Sequence, residues 1–139
     1  MTSPVTALHH VALPVSDLER SRRFYRDILG LLEIDRPAAF DFPGAWFALG
    51  EGQLHLIERR DGTTRGEKAL DSRDVHFAIR VRDFDTMLAH LRAVGYRDGA
   101  PESDPLRIKA NRRPNAGFPQ IFILDPDRHV IEINAPPPG

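Results

Sequence analysis

Two histidines open stretches of chain that match one another. His10-Val11-Ala12-Leu13-Pro14-Val15-Ser16-Asp17-Leu18 and His76-Phe77-Ala78-Ile79-Arg80-Val81-Arg82-Asp83-Phe84 share His, Ala, Val and Asp by identity and three apolar positions by type. One such histidine alone reads most simply as a surface or satisfied core residue, whereas two at matching positions point to a shared role. Strand parity puts Val11, Leu13 and Val15 on one face and His10 and Ala12 on the other, and the same alternation separates Phe77 and Ile79 from His76, Ala78 and Arg80. Further donors lie on strand-like segments that close each half. Gln53, His55 and Ile57 share one face, as do Val130, Glu132 and Asn134. Glu132 falls within the apolar run Val130-Ile131-Glu132-Ile133, where a buried carboxylate needs a partner, and a divalent cation is one. The candidate ligand set is His10, His55, His76 and Glu132. Three imidazoles and a carboxylate suit zinc, nickel, manganese or iron(II) better than magnesium or calcium, which prefer all-oxygen shells. Such a site carries a net charge of about +1 and favours an anionic intermediate. His9, His90 and His129 read as structural or surface residues.

Elements that position these residues can be read in the same order twice. Residues 8–14 form a strand. Ser16-Asp17-Leu18-Glu19 has a capping-box pattern, and Leu18, Phe24, Tyr25, Ile28 and Leu29 make a helical stripe ending at Gly30. Strands over 32–38, 46–49 and 53–58 follow, and residues 59–72 form a polar connector. The second half has a strand over 75–81 and a stripe of Phe84, Met87, Leu88, Leu91 and Val94 ending at Gly95. A strand near 96–100, an irregular stretch to Gly117, and strands over 121–124 and 130–134 complete it. Each half is a βαβββ module, about 5–58 and about 73–135, in an α+β fold. One module is too small to bury a core, so two must pack together, in one chain or across a homodimer.

The chain has 139 residues and a mass of 15.7 kDa, the size of one ordinary domain. Its net charge of −1 gives no global attraction to nucleic acid or an anionic membrane. It has no cysteine, which excludes disulfides, thiolate chemistry and Cys-ligated clusters and fits a reducing, cytoplasmic setting. No apolar run approaches the roughly 20 residues that span a bilayer, and the start of the chain lacks a signal-peptide pattern. Residues 136–139, Pro-Pro-Pro-Gly, read as a short solvated tail.

A basic segment is the candidate for substrate recognition. Arg107, Lys109 and Asn111 alternate with Leu106, Ile108 and Ala110, and Arg112, Arg113 and Asn115 extend the patch. It reads either as a clamp for a carboxylate or phosphate near the metal or as a solvated edge strand. Phe40, Phe42, Trp46 and Phe118 read as a pocket wall or as core.

The opening segment at His10, the following Ser21-Arg22-Arg23-Phe24-Tyr25-Arg26-Asp27-Ile28-Leu29-Gly30-Leu31 and the closing Phe122-Ile123-Leu124-Asp125-Pro126-Asp127-Arg128-His129-Val130-Ile131-Glu132 together carry a resemblance. Over nearly its whole length the chain resembles the vicinal oxygen chelate superfamily of glyoxalases, bleomycin-resistance proteins and extradiol dioxygenases. The resemblance implies a single glyoxalase-like domain over 1–139, its two βαβββ modules forming a half-open barrel around a metal. First and last strands of each module supply the ligands, which map onto His10, His55, His76 and Glu132. It also implies a homodimer acting on a small molecule, as a lyase or isomerase with Glu132 as metal-bound proton shuttle. An extradiol-type dioxygenase, an antibiotic thiol transferase and a non-enzymatic drug-binding protein are the alternatives. The chain departs from the family pattern at Arg128, where glycine is usual, and at His55, where glyoxalase I enzymes carry a carboxylate.

Overall fold

A computed structural model describes residues 2–62 and 65–138. Thr63 and Thr64 of the expected connector, Gly139 of the expected tail and Met1 lie outside the described residues. The chain divides into two compact units, Met1–Gly62 and Thr63–Gly139. Both units are α+β, and each holds one open four-stranded sheet.

The first unit runs β1 (His10–Val15), α1 (Leu18–Arg23), a π-helical turn (Phe24–Ile28), β2 (Glu33–Ile34), β3 (Gly44–Leu49) and β4 (Gly52–Glu58). Its strand order is β1-β4-β3-β2, with β1 parallel to β4 and the other pairs antiparallel. Leu13 and Val15 are buried while His10 and Ala12 are exposed, as the alternation in the sequence requires. The helix begins one residue later than the capping box suggests. Asp17 is the cap and accepts from the Arg20 backbone N–H at 3.1 Å, while the Ser16 hydroxyl accepts from the Arg20 guanidinium. The helix then widens, with Leu29 N–H donating to Phe24 O. In this wider turn the adjacent aromatics Phe24 and Tyr25 are both buried, at 4% and 0% exposure.

The second unit runs β5 (His76–Arg80), α2 (Phe84–Ala93), β6 (Lys109–Asn111), β7 (Gln120–Leu124) and β8 (Val130–Asn134), in the order β5-β8-β7-β6. Asp83 caps α2 by accepting from Thr86 N–H at 2.8 Å, the counterpart of Asp17. Phe84, Leu88 and Leu91 are the buried positions of α2, spaced as one helical face. The expected strand near 96–100 is absent. There the chain makes only a bridge between Arg97 and Arg107, and Lys109–Asn111 takes the outer place in the sheet. The buried Tyr96 instead anchors its segment, its hydroxyl donating to Leu124 O at 3.0 Å. Arg128, where the sequence departs from the family's glycine, has φ +66°, so the turn keeps the left-handed geometry that glycine favours. Its guanidinium donates to Lys68 O and Ser103 O. Among the described residues no helix is long and apolar enough to cross a membrane.

Candidate metal centre

The two sheets repeat one another in register. Ala12 lies opposite His55, which lies opposite Trp46; Ala78 lies opposite Glu132, which lies opposite Phe122. His55 and Glu132 are therefore equivalent, as are His10 and His76. In the second unit the row continues to Lys109. In β1 and β5 these rows lie opposite the buried Leu13 and Ile79, while in β8 every position of the strand is buried.

In the second unit His76 and Glu132 meet, with Nε2 and Oε1 3.3 Å apart. The other ring nitrogen, Nδ1, is 2.8 Å from Asp74 O. A carbonyl oxygen can only accept, so Nδ1 carries a proton, and Nε2 is the ring nitrogen turned to Glu132. An imidazole nitrogen thus faces a carboxylate oxygen, and the pair is satisfied either by a proton on Nε2 or by a cation shared between the two atoms. Two ligands of one ion at about 2.1 Å each stand roughly 3–3.5 Å apart, so the spacing fits a metal. An imidazole that donates its second N–H to a carbonyl is also the usual form of a metal-binding histidine. The far carboxylate oxygen, Oε2, accepts from Asn134 Nδ2 at 2.8 Å, and Asn134 Oδ1 accepts from Arg80 Nε. Glu132 is buried to 7% exposure, so this chain of donors stabilises its charge where water does not.

The first unit is built differently. His55 is stacked between His10, at 4.1 Å between ring centroids, and Trp46, at 4.0 Å. Its Nε2 is 2.8 Å from Gln53 Oε1 and so donates to it. Burial, reinforced by His10, His9 and Arg36, holds the His55 pKa below the ordinary histidine value, which keeps the ring neutral at pH 7. His10 Nδ1 is 2.8 Å from His9 Nδ1, so one of the two donates to the other. His9 precedes β1, so strand alternation does not govern where its ring lies. Among the described residues no group of three His, Asp or Glu side chains is gathered closely enough to hold an ion. Each unit presents a pair of the four candidate ligands.

The basic segment spreads out. Lys109 shares the row of Glu132, and its Nζ donates to Leu70 O at 2.8 Å. Leu70 packs with Phe122, Leu124 and Val130. Arg107 donates to Ala100 O through Nη1. Asn111 Oδ1 accepts from Arg113 N–H, and Arg113 is exposed beside Arg82, Phe84 and Pro136 in a surface cavity of about 360 Å³. Arg80 and Asn134, which hold the carboxylate, were legible only as residues sharing faces with His76 and Glu132; parity names a face but no partner.

Known proteins resemble the chain along nearly its whole length. It is 28% identical over 133 residues to Glyoxylase I 4 of Arabidopsis thaliana, covering 93% of this chain and 70% of that one. It is 35% identical over 98 residues to a manganese-dependent 2,3-dihydroxybiphenyl 1,2-dioxygenase of Geobacillus genomosp. 3, covering 68% of this chain but 28% of that larger protein. A mutant of the fosfomycin resistance protein FosX from Listeria monocytogenes, complexed with Mn(II) and 1S,2S-dihydroxypropylphosphonic acid, superposes with a TM-score of 0.68 at 19% identity. That superposition covers 95% of this chain and 93% of FosX and shows a common fold. The dioxygenase is manganese-dependent, and the FosX mutant was crystallised with Mn(II). The model of the glyoxalase/bleomycin resistance protein/dioxygenase superfamily matches residues 7–133, and the chain belongs to that superfamily.

Proposed function

We propose that the protein is a metal-dependent enzyme of the glyoxalase type, a lyase or isomerase acting on a small oxygen-rich metabolite in the cytoplasm. Its centre takes a divalent transition ion on His10, His76 and Glu132, with His55 as the fourth donor once its Nε2 leaves Gln53. The observation that carries this reading is Nε2 of His76 facing Glu132 Oε1 at 3.3 Å. Because each unit holds a pair of donors, the reading requires both units' pairs at one ion, within one chain or between two copies in a homodimer.

When bound, such an ion supplies Lewis-acid stabilisation of charge developing on two neighbouring substrate oxygens. The protein supplies the proton chemistry. Glu132 Oε1 takes a proton from a carbon beside a carbonyl and returns it to the neighbouring carbon, while Asn134 keeps hold of Oε2. Neutral His55 stacks on His10 and fixes its ring. Arg107, Lys109, Asn111 and Arg113 are the proposed anion-recognising residues.

A specific observation favours a second reading. If His55 keeps its bond to Gln53, the donors reduce to two histidines and a carboxylate, the set used for oxygen activation at iron or manganese. Metal content tests both readings: protein prepared without chelators should hold one equivalent per chain, and His76→Ala should not. Equal, full occupancy in both would remove His76 from the centre. A screen of 2-oxoaldehyde thiol adducts, catechols and short acyl thioesters with metal-replete protein then separates isomerase from dioxygenase. No turnover, with tight binding of an apolar drug to metal-free protein, points instead to a drug-binding protein. Light scattering at micromolar concentration should give twice the 15.7 kDa chain mass.

A further inference from the structure

Arg65 is buried to 7% exposure, whereas Gly66, Glu67 and Lys68 after it are exposed. Burying a guanidinium is costly unless its donors are all matched, so its partners are informative. Nη2 donates to Asp74 Oδ2 at 2.9 Å, and Nε donates to Arg128 O at 3.0 Å. Asp74 immediately leads into β5, which begins with His76. Arg128 is the left-handed turn residue that leads into β8, which carries Glu132. One planar fork therefore ties together the entries of the two strands that bear the second unit's candidate ligands, His76 and Glu132. Asp74 is held from both ends, since Oδ1 accepts from Val75 N–H at 2.8 Å. With its carboxylate fixed, its carbonyl is aimed at His76 Nδ1, 2.8 Å away.

We infer that Arg65 is a positioning residue for the candidate metal centre: by fixing Asp74 and the Arg128 carbonyl, it holds His76 as its Nδ1–H tautomer with Nε2 directed at Glu132. The metal-affinity part rests on the proposed function; the tautomer part stands without it. Arginine suits this task because its fork reaches two acceptors at once in one plane, which an ammonium cannot do. Lys68 approaches the same carboxylate at 3.9 Å, beyond hydrogen-bond distance, and its side chain is exposed. It supplies a matched control for the mere removal of a positive charge near Asp74.

The test compares the full-length chain with Arg65→Met, Arg65→Lys and Lys68→Met, each first shown folded by circular dichroism. Long-range proton–nitrogen NMR correlations on metal-free protein at pH 8 report the His76 tautomer. Wild type and Lys68→Met should show Nδ1–H alone, and Arg65→Met should show a substantial Nε2–H population. Manganese titration followed by electron paramagnetic resonance gives the second readout. Arg65→Met should weaken Mn(II) binding about tenfold or more, within the 10–100-fold range for outer-shell partners. Arg65→Lys should fall between wild type and Arg65→Met in both readouts. If Arg65→Met does not fold, Arg65→Lys decides. An unchanged tautomer in the folded Arg65 variant overturns the inference. So does an equal weakening of manganese binding in Lys68→Met. A wild type that binds no Mn(II) rejects the metal reading, and the tautomer readout alone then decides the role of Arg65.

Discussion

His55 and Glu132 occupy the same place in the two sheets, each opposite the alanine two residues beyond its unit's first-strand histidine. Their surroundings differ in kind. Glu132 takes one amide donor and turns its free oxygen to a histidine, whereas His55 gives its Nε2 proton to Gln53 and both faces to other rings. Equivalent positions thus carry a carboxylate oxygen turned to an imidazole nitrogen in one unit and a completed hydrogen bond in the other.

The stacked ring of His55 can be separated from its nitrogens. His55→Phe keeps a planar ring between Trp46 and His10 but removes every donor. If stacking on His10 is its main contribution, His55→Phe should hold Mn(II) within about tenfold of wild type, whereas His76→Ala should lose more than the roughly 100-fold limit of outer-shell changes. Isothermal titration of the two variants distinguishes a support from a ligand: a loss in His55→Phe as large as in His76→Ala makes His55 a full ligand.

Replacement of Glu132 by Gln retains an oxygen donor and removes basicity. Turnover should fall by about 10²–10⁴, the usual contribution of general acid–base catalysis, with partial retention of metal. Steady-state kinetics on a substrate identified in the screen gives the check, and full activity in Glu132→Gln removes the proton-transfer role.

Lys109 and Arg113 should respond differently to truncation. Lys109→Met breaks the bond to Leu70 O and should lower unfolding stability by about 1 kcal/mol in a urea titration. Arg113 is exposed, so Arg113→Ala should leave the urea midpoint unchanged and raise KM for an anionic substrate at constant kcat.

Acid should loosen α2 through its cap. The Thr86 backbone N–H holds the Asp83 carboxyl below the usual carboxylate range. A carboxyl whose pKa is lower folded than unfolded contributes stability above its unfolded value, near 3.9, and this contribution fades as pH falls through the lower folded value. Thermal melts between pH 5 and pH 2 should therefore decline less steeply in Asp83→Asn, which still accepts from Thr86 but does not titrate. Parallel declines in the two proteins would show that the cap does not contribute to acid sensitivity.

Sequence alone was sufficient for the features that depend on local period and local chemistry. Alternation by two sorted His10, His76, His55 and Glu132 by face, because successive strand side chains point to opposite sides whatever the strand pairs with. The repeated Asp17 and Asp83 became the repeated caps, and Gly30 and Gly95 took positive φ beyond the helices, because both demands arise within a few residues. Shifting the cap from Ser16 to Asp17 lay within that same local uncertainty. Tertiary structure decided what depends on residues far apart in the chain. Asp74 and Arg128 meet at Arg65 across up to 63 residues, Lys109 finds Leu70 across 39, and Arg80 finds Asn134 across 54. The outer strand of the second sheet is likewise Lys109–Asn111 rather than the segment after Gly95, because only the partner strand Gln120–Leu124 selects it. A hydrogen-bond partner is a property of two positions brought together by folding, and no period along the chain encodes it.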